Sequence, residues 1–202
     1  MERKTTPATD LFPTPPPPGS ILAFMIAFNR LKTLYRQGWL RAGVPRDQCE
    51  SVAEHSLGVA VLSWAVAETY FPTLDRTKLL YLSLFHDFGE IYAGDIVPGL
   101  MTLENKHQLE LDAVHRVFDG LPGADLAIAA WQEFEDLSSP EARLVKEIDR
   151  LEMGVQAAVY ERAFSLDLTD FFDSTFKAVQ SPALQPLLDA LRDLRPARPQ
   201  TP

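Results

Sequence analysis

Between residues 20 and 193 the apolar side chains recur at three- and four-residue spacing, and no β-branched run alternates with period two. A chain patterned this way buries its apolar surface by packing helix stripes on one another, so the sequence specifies an all-α helical bundle. The first helix is expected from about Ser20 to Arg36. "SVAE" opens the second: Ser51 caps it and Glu54 stands at capping-box spacing. It runs to about Tyr70, where Phe71 and Pro72 end it. Further helices are expected over 75–92 and 103–118, with a short one ending near Glu135. A long helix begins at Ser139, Pro140 and Glu141, with a stripe of Leu144, Ile148, Leu151, Val155 and Val159. Terminal helices over 168–180 and 182–192 complete the bundle.

The 202 residues suffice for one domain with a full core, placed at 20–193. Residues 1–19, ending in "FPTPPPPG", and residues 194–202 read as disordered or polyproline tails. A net charge of -9 lacks the basic footprint of a nucleic-acid binder. The single Cys49 allows no internal disulfide, which fits a reducing, cytoplasmic setting. The apolar run "ILAFMIAF" at 21–28 is far shorter than the ~20 residues that cross a bilayer, so no membrane partner is expected.

Against this bland frame stands "SLFHDFGEIYAGDI" at 83–96, an apolar face that carries His86, Asp87, Glu90 and Asp95 within ten positions. Buried charge is costly unless it is paired or holds a metal. His55 lies on the ridge Val59, Leu62, Val66 of its own helix, and Asp149 flanks Ile148 on the long one. Taken singly, His55 reads as a satisfied core histidine and Asp149 as a partner of Lys146 or Arg150. Together, two imidazoles and two carboxylates on or beside the inward faces of three helices form a ligand set for one first-row divalent ion, such as Co, Mn, Fe or Zn.

The order "EHS" (54–56), "HD" (86–87) and a later Asp in "VKEIDRLE" (145–152) resembles the HD-domain phosphohydrolase superfamily. "LKTLYRQGWLR", "SVAEHSLGVAVL", "LFHDFGEIYAGDIVP" and "ARLVKEIDRLEMGVQA" are similar to the segments of its 5′-deoxynucleotidase branch, over roughly residues 24 to 165. The resemblance implies an HD-domain bundle with the metal site between helices, and hydrolysis of (deoxy)nucleoside 5′-monophosphates to nucleoside and phosphate. It implies metal ligands at His55, His86, Asp87 and Asp149, a phosphate-orienting arginine at Arg36 and a catalytic glutamate at Glu90. Asp95 falls where the branch positions sugar and water, with Ile96, Val97 and Pro98 in the adjoining substrate loop. Bacterial members place an aromatic residue after the arginine, against a ribose 2′-hydroxyl; here Gln37 stands there, with Trp39 two residues on. A homodimer is expected from the same resemblance. The alternatives are a two-iron HD oxygenase, with His107 and His115 as extra ligands, and a catalytically inactive nucleotide-binding HD module.

Overall fold

The computed structural model describes residues 1–195. Eleven α-helices are ordered along these residues: α1 (Ala8–Leu11), α2 (Ile21–Thr33), α3 (Gln37–Arg41), α4 (Val52–Tyr70), α5 (Arg76–Phe85), α6 (Glu90–Ala93), α7 (Leu103–Phe118), α8 (Ala124–Asp136), α9 (Pro140–Phe164), α10 (Thr169–Ala178) and α11 (Gln185–Leu194). A single 3₁₀ turn, Pro182–Leu184, leads into α11. The described residues form no sheet, only two isolated antiparallel bridges, Arg3 with Leu34 and Tyr35 with Ser51. The long helices start where their caps predict. Ser51 accepts from the Glu54 N–H while the Glu54 carboxylate takes the Ser51 N–H, and Ser139 accepts from Ala142 N–H.

α9 is the central post, with α4, α5, α8, α10 and α11 packed around it. One apolar core lies there, built on Val59, Leu79, Leu82, Val145, Ile148, Leu151 and Phe172. A second joins α2, α6, α7 and α8 through Leu31, Phe88, Ile91, Val114, Phe118 and Trp131. The ionisable residues sit where these two cores meet.

Three of the expected helix features change. The first helix ends at Thr33 rather than Arg36, because Leu34 to Arg36 run extended beside Glu50 to Val52. Arg36 N–H donates to Glu50 O at 3.1 Å and Val52 N–H to Leu34 O at 3.0 Å. The helix expected over 75–92 divides into α5 and α6. The backbone tightens at His86–Gly89, where Phe88 N–H reaches Phe85 O and Glu90 N–H reaches Asp87 O. The Ser83 carbonyl, which a continuing α-helix would offer to the Asp87 N–H, instead accepts from His86 Nδ1 at 2.7 Å. On α9, Leu144, Ile148 and Leu151 are buried as expected, whereas Val155 and Val159 are exposed and the inward face continues through Ala157, Ala158 and Tyr160. Residues 1–19 carry contacts that their composition does not announce. The Gln37 amide clasps the Glu2 main chain at 3.0 and 2.9 Å, Lys4 N–H donates to Thr33 O, and Lys4 Nζ meets Glu54 at 2.7 Å. Of the expected C-terminal tail, Leu194 closes α11 and Arg195 pairs with Glu161 at 2.8 Å; residues 196–202 lie outside the described residues.

Candidate metal centre

His55 stands in the first turn of α4, fixed by the capping box, with a fully buried ring. Its Nε2 lies 3.1 Å from Asp149 Oδ1 and 3.8 Å from Asp87 Oδ2, while its Nδ1 lies 2.6 Å from Glu152 Oε2. Burial and the nearby Arg36 oppose a charge on this ring, yet the hydrogen bonds to Asp149 and Glu152 outweigh them and push His55 up to about 10. Burial would likewise raise Asp149, but the bond with His55, reinforced by Arg150, holds it well below the usual carboxylate range. The pocket is therefore built to attract positive charge.

His86 ends α5 with its ring edge-on to His55, the centroids 5.5 Å apart. Because a carbonyl only accepts, its contact with Ser83 O places the proton on Nδ1 and leaves the Nε2 lone pair free. That Nε2 is buried without a hydrogen-bond partner, and so is Asp87 Oδ2. The two atoms are 3.2 Å apart, two acceptors facing each other with no proton between them. Orphaned buried polar atoms are rare and call for a missing partner. Two such atoms, beside ligand atoms of His55, His86 and Asp149 that all lie within 4.8 Å of one another, fit one divalent cation. Among the described residues, His55, His86 and Asp149 thus form one divalent-metal site, with Glu50 and Glu152 close behind. Asp87 adjoins it through the two contacts given above.

Beside the cluster lies a cleft of about 620 Å³. Arg36, at the start of α3, is largely buried there, its Nη1 3.6 Å from Asp87 Oδ2 and 4.0 Å from Asp95 Oδ1. Burial disfavours its charge, but Asp95 and Asp87 more than restore it. Glu90 opens α6 as a buried carboxyl whose Oε2 has no partner; burial, then Asp87 and Asp95, raise it well above the usual range. Gly94 adopts φ 85°, turning the chain so that Asp95 faces back, where its Oδ2 accepts from the Gln37 N–H. Ile96, Val97 and Pro98 line the same cleft, opposite Phe134, Lys146 and Phe171. All ten residues singled out in the sequence therefore lie in or against one site.

Some features escaped sequence reasoning. Glu152, one turn beyond Asp149 on α9, holds the far side of His55; its i+3 spacing was the available signal. Lys106 and Glu110 of α7, 3.2 Å apart, reach the cleft from a helix that reads as solvated. Gln37 turns its amide away from the cleft, toward Glu2 and the Tyr35 carbonyl, whereas Trp39 lines it, stacked on Phe171 at 4.1 Å. His107 stacks on Trp131 and meets Glu135 at 3.3 Å, and His115 is exposed. Among the described residues neither joins a cluster of metal-ligating atoms, which leaves the two-iron reading without its extra ligands. Trp131 is a core residue, and Trp64 is 56% exposed.

Comparison with known proteins agrees with this geometry. A family model described as the HD domain matches residues 28–192. The 5′-deoxynucleotidase HDDC2 of Dictyostelium discoideum is 35% identical over 167 residues, covering 76% of this chain and 87% of that protein. The human 5′-deoxynucleotidase HDDC2 is 34% identical over 178 residues, covering 85% and 84% respectively. A crystal structure from Pyrococcus horikoshii superposes with a TM-score of 0.72 at 29% identity, covering 86% of this chain and 98% of that one. A structure of a predicted metal-dependent phosphohydrolase from Magnetospirillum magnetotacticum gives 0.62 at 25% identity over 85% and 88%.

Proposed function

The chain belongs to the HD-domain family of metal-dependent phosphohydrolases, and on that premise we propose that it is a 5′-nucleotidase releasing phosphate from deoxynucleoside 5′-monophosphates. The activity named for its relatives supports this substrate class. The observation that carries it is Arg36. A buried guanidinium is held over the metal cluster at 3.6 and 4.0 Å from two carboxylates, too far for its donors to be consumed by them. Its planar fork is left to take two phosphate oxygens, a geometry lysine cannot copy.

His55, His86, Asp87 and Asp149 would hold the ion. When bound, a divalent cation supplies Lewis acidity, polarising a phosphoryl oxygen and making water a better nucleophile. The chain's own groups do the rest. Water adds to phosphorus as the bond to the 5′-oxygen breaks. Glu90, buried and unpartnered at Oε2, gives its proton to the departing oxygen. Asp95, with Oδ2 pinned by the Gln37 N–H, orients the attacking water through Oδ1 and takes its proton. The cleft volume suits a mononucleotide, and Trp39, Phe134 and the Ile96–Pro98 loop supply apolar walls for sugar and base.

Purified protein, stripped and reloaded with Mn²⁺, Co²⁺ or Zn²⁺, should release phosphate from deoxynucleoside 5′-monophosphates and spare the 3′-monophosphates. Absence of turnover across the deoxy- and ribonucleotide panel with every metal would overturn the assignment. No helix among the described residues is long and apolar enough to cross a membrane; we place the enzyme in the cytoplasm, where its substrates are. We also propose a homodimer, for which Leu57, Val61 and Trp64 of α4 and Leu80, Tyr81 and Leu84 of α5 offer exposed apolar side chains. Light scattering gives its mass directly.

A further inference from the structure

His55 must present Nε2, and only Nε2, to the ion. An imidazole on a short stem can rotate about two bonds, so its orientation needs an external hold. The structure supplies one from α9: Glu152 Oε2 lies 2.6 Å from Nδ1. With the carboxylate accepting from Nδ1–H, the ring plane is fixed and Nε2 is aimed at Asp149 and His86, where a bound ion would take its lone pair.

Gly58 leaves the space that the Glu152 carboxylate occupies in that position. This residue lies three positions after His55, inside α4, where glycine weakens a helix. A Cβ built at Gly58 would stand 2.5 Å from Glu152 Oε1 and 3.1 Å from its Cδ. The missing methyl is thus the notch in which the carboxylate rests. Behind it stands Glu50, whose carboxylate is tied by Trp39 Nε1 at 2.7 Å, closing the remaining side of this small acidic pocket.

We propose that Glu152 is a positioning residue that orients His55 for metal binding, and that Gly58 is retained in α4 to admit it. The proposal rests on the metal-site reading above. Gly58→Ala leaves every ligand and Glu152 itself chemically intact, yet it must displace the carboxylate. Alanine is also the better helix former, so α4 itself is not weakened.

The test is calorimetric titration of Mn²⁺ and of Zn²⁺ into stripped protein. It is run at a temperature where circular dichroism shows each variant fully folded, so that a change in fold stability does not enter the dissociation constant. Glu152→Ala and Gly58→Ala should each weaken binding by roughly 10–100-fold, the range for losing a partner of a metal-ligating histidine. Glu152→Gln, which keeps an acceptor without the charge, should lose less. Since both changes remove one contact, Gly58→Ala/Glu152→Ala should bind no more weakly than Glu152→Ala alone. Parent affinity in Gly58→Ala and Glu152→Ala, or full additivity in the double variant, would overturn the proposal. So would Glu152→Ala losing metal as completely as His55→Ala, since that marks a direct ligand. Parent affinity in His55→Ala would instead overturn the metal-site reading, and the proposal with it.

Discussion

Arg36→Met removes a guanidinium that faces Asp87, Asp95, Glu90 and Asp149 in the cleft. At 3.6 and 4.0 Å, its attractions to Asp87 and Asp95 are each worth about 4–5 kcal/mol at an effective dielectric of ~20. Much of that offsets the cost of burying the guanidinium. What remains is the cost of leaving carboxylates buried without compensation, about 3–5 kcal/mol when one partner of a buried pair is deleted. The lower end applies, because methionine fills part of the space. For a chain of 202 residues this corresponds to a fall of about 6–12 °C in melting temperature without metal. Saturating divalent metal places two positive charges beside Asp87 and should shrink the loss to less than half. The assay is calorimetry of parent and variant, each stripped and each loaded, which isolates the coupling between arginine and ion. Turnover of the loaded variant should fall about 10²–10³-fold, as for loss of one donor to a developing anion. Equal losses with and without metal would refute the shared-compensation argument, and an unchanged melting temperature in stripped protein would refute the burial of an active charge pair.

Glu90→Gln keeps shape and removes the transferable proton, so phosphate release should drop about 10²–10⁴-fold while nucleotide binding, read by calorimetry, stays near the parent value. Chelation followed by dialysis should lower the melting temperature. Metal at about 100 times its dissociation constant should restore about 2.7 kcal/mol, a shift lost if the ion binds folded and unfolded chain alike. Glu110 is pushed up to about 7 from 4.5, mainly by burial, with Lys106 pulling it back and Glu135 and Asp87 pushing the same way as burial. The unfolded chain therefore loses this proton first. The stability it contributes is complete below about pH 4.5 and lost as pH rises through about 7. Glu110→Gln should flatten that part of the stability curve between pH 5 and 7, and parallel curves for parent and variant would contradict the assignment.

The helices were legible because their signals are local. Ser51 with Glu54, and Ser139 with Pro140, are read within four residues of the boundary they set. The residues of the site were legible for a different reason, since charges on apolar faces are conspicuous wherever the face points. What escaped depends on contacts between distant segments. The break at His86 comes from a side chain taking a backbone carbonyl, which leaves the apolar pattern untouched. Val155 and Val159 continue the spacing of Leu144, Ile148 and Leu151, yet the helices around α9 cover only part of that line. Prolines in residues 12–18 reveal a chain poor in donors, but not that Glu2 finds a two-point partner in Gln37.

The metal-binding residues are scattered along the chain, with His55 and Asp149 separated by 94 positions. A nascent chain that has not yet produced α9 can therefore offer His55 and His86 but no complete cradle. Closing so long a loop carries an entropic cost that must be met by apolar packing before the ion gains a site to occupy. A cation arriving afterwards stabilises a product already formed. Interactions absent from the folding transition state act on the unfolding rate. Metal supply should accordingly govern how long each folded molecule survives, while the speed at which new molecules reach the fold stays indifferent to it.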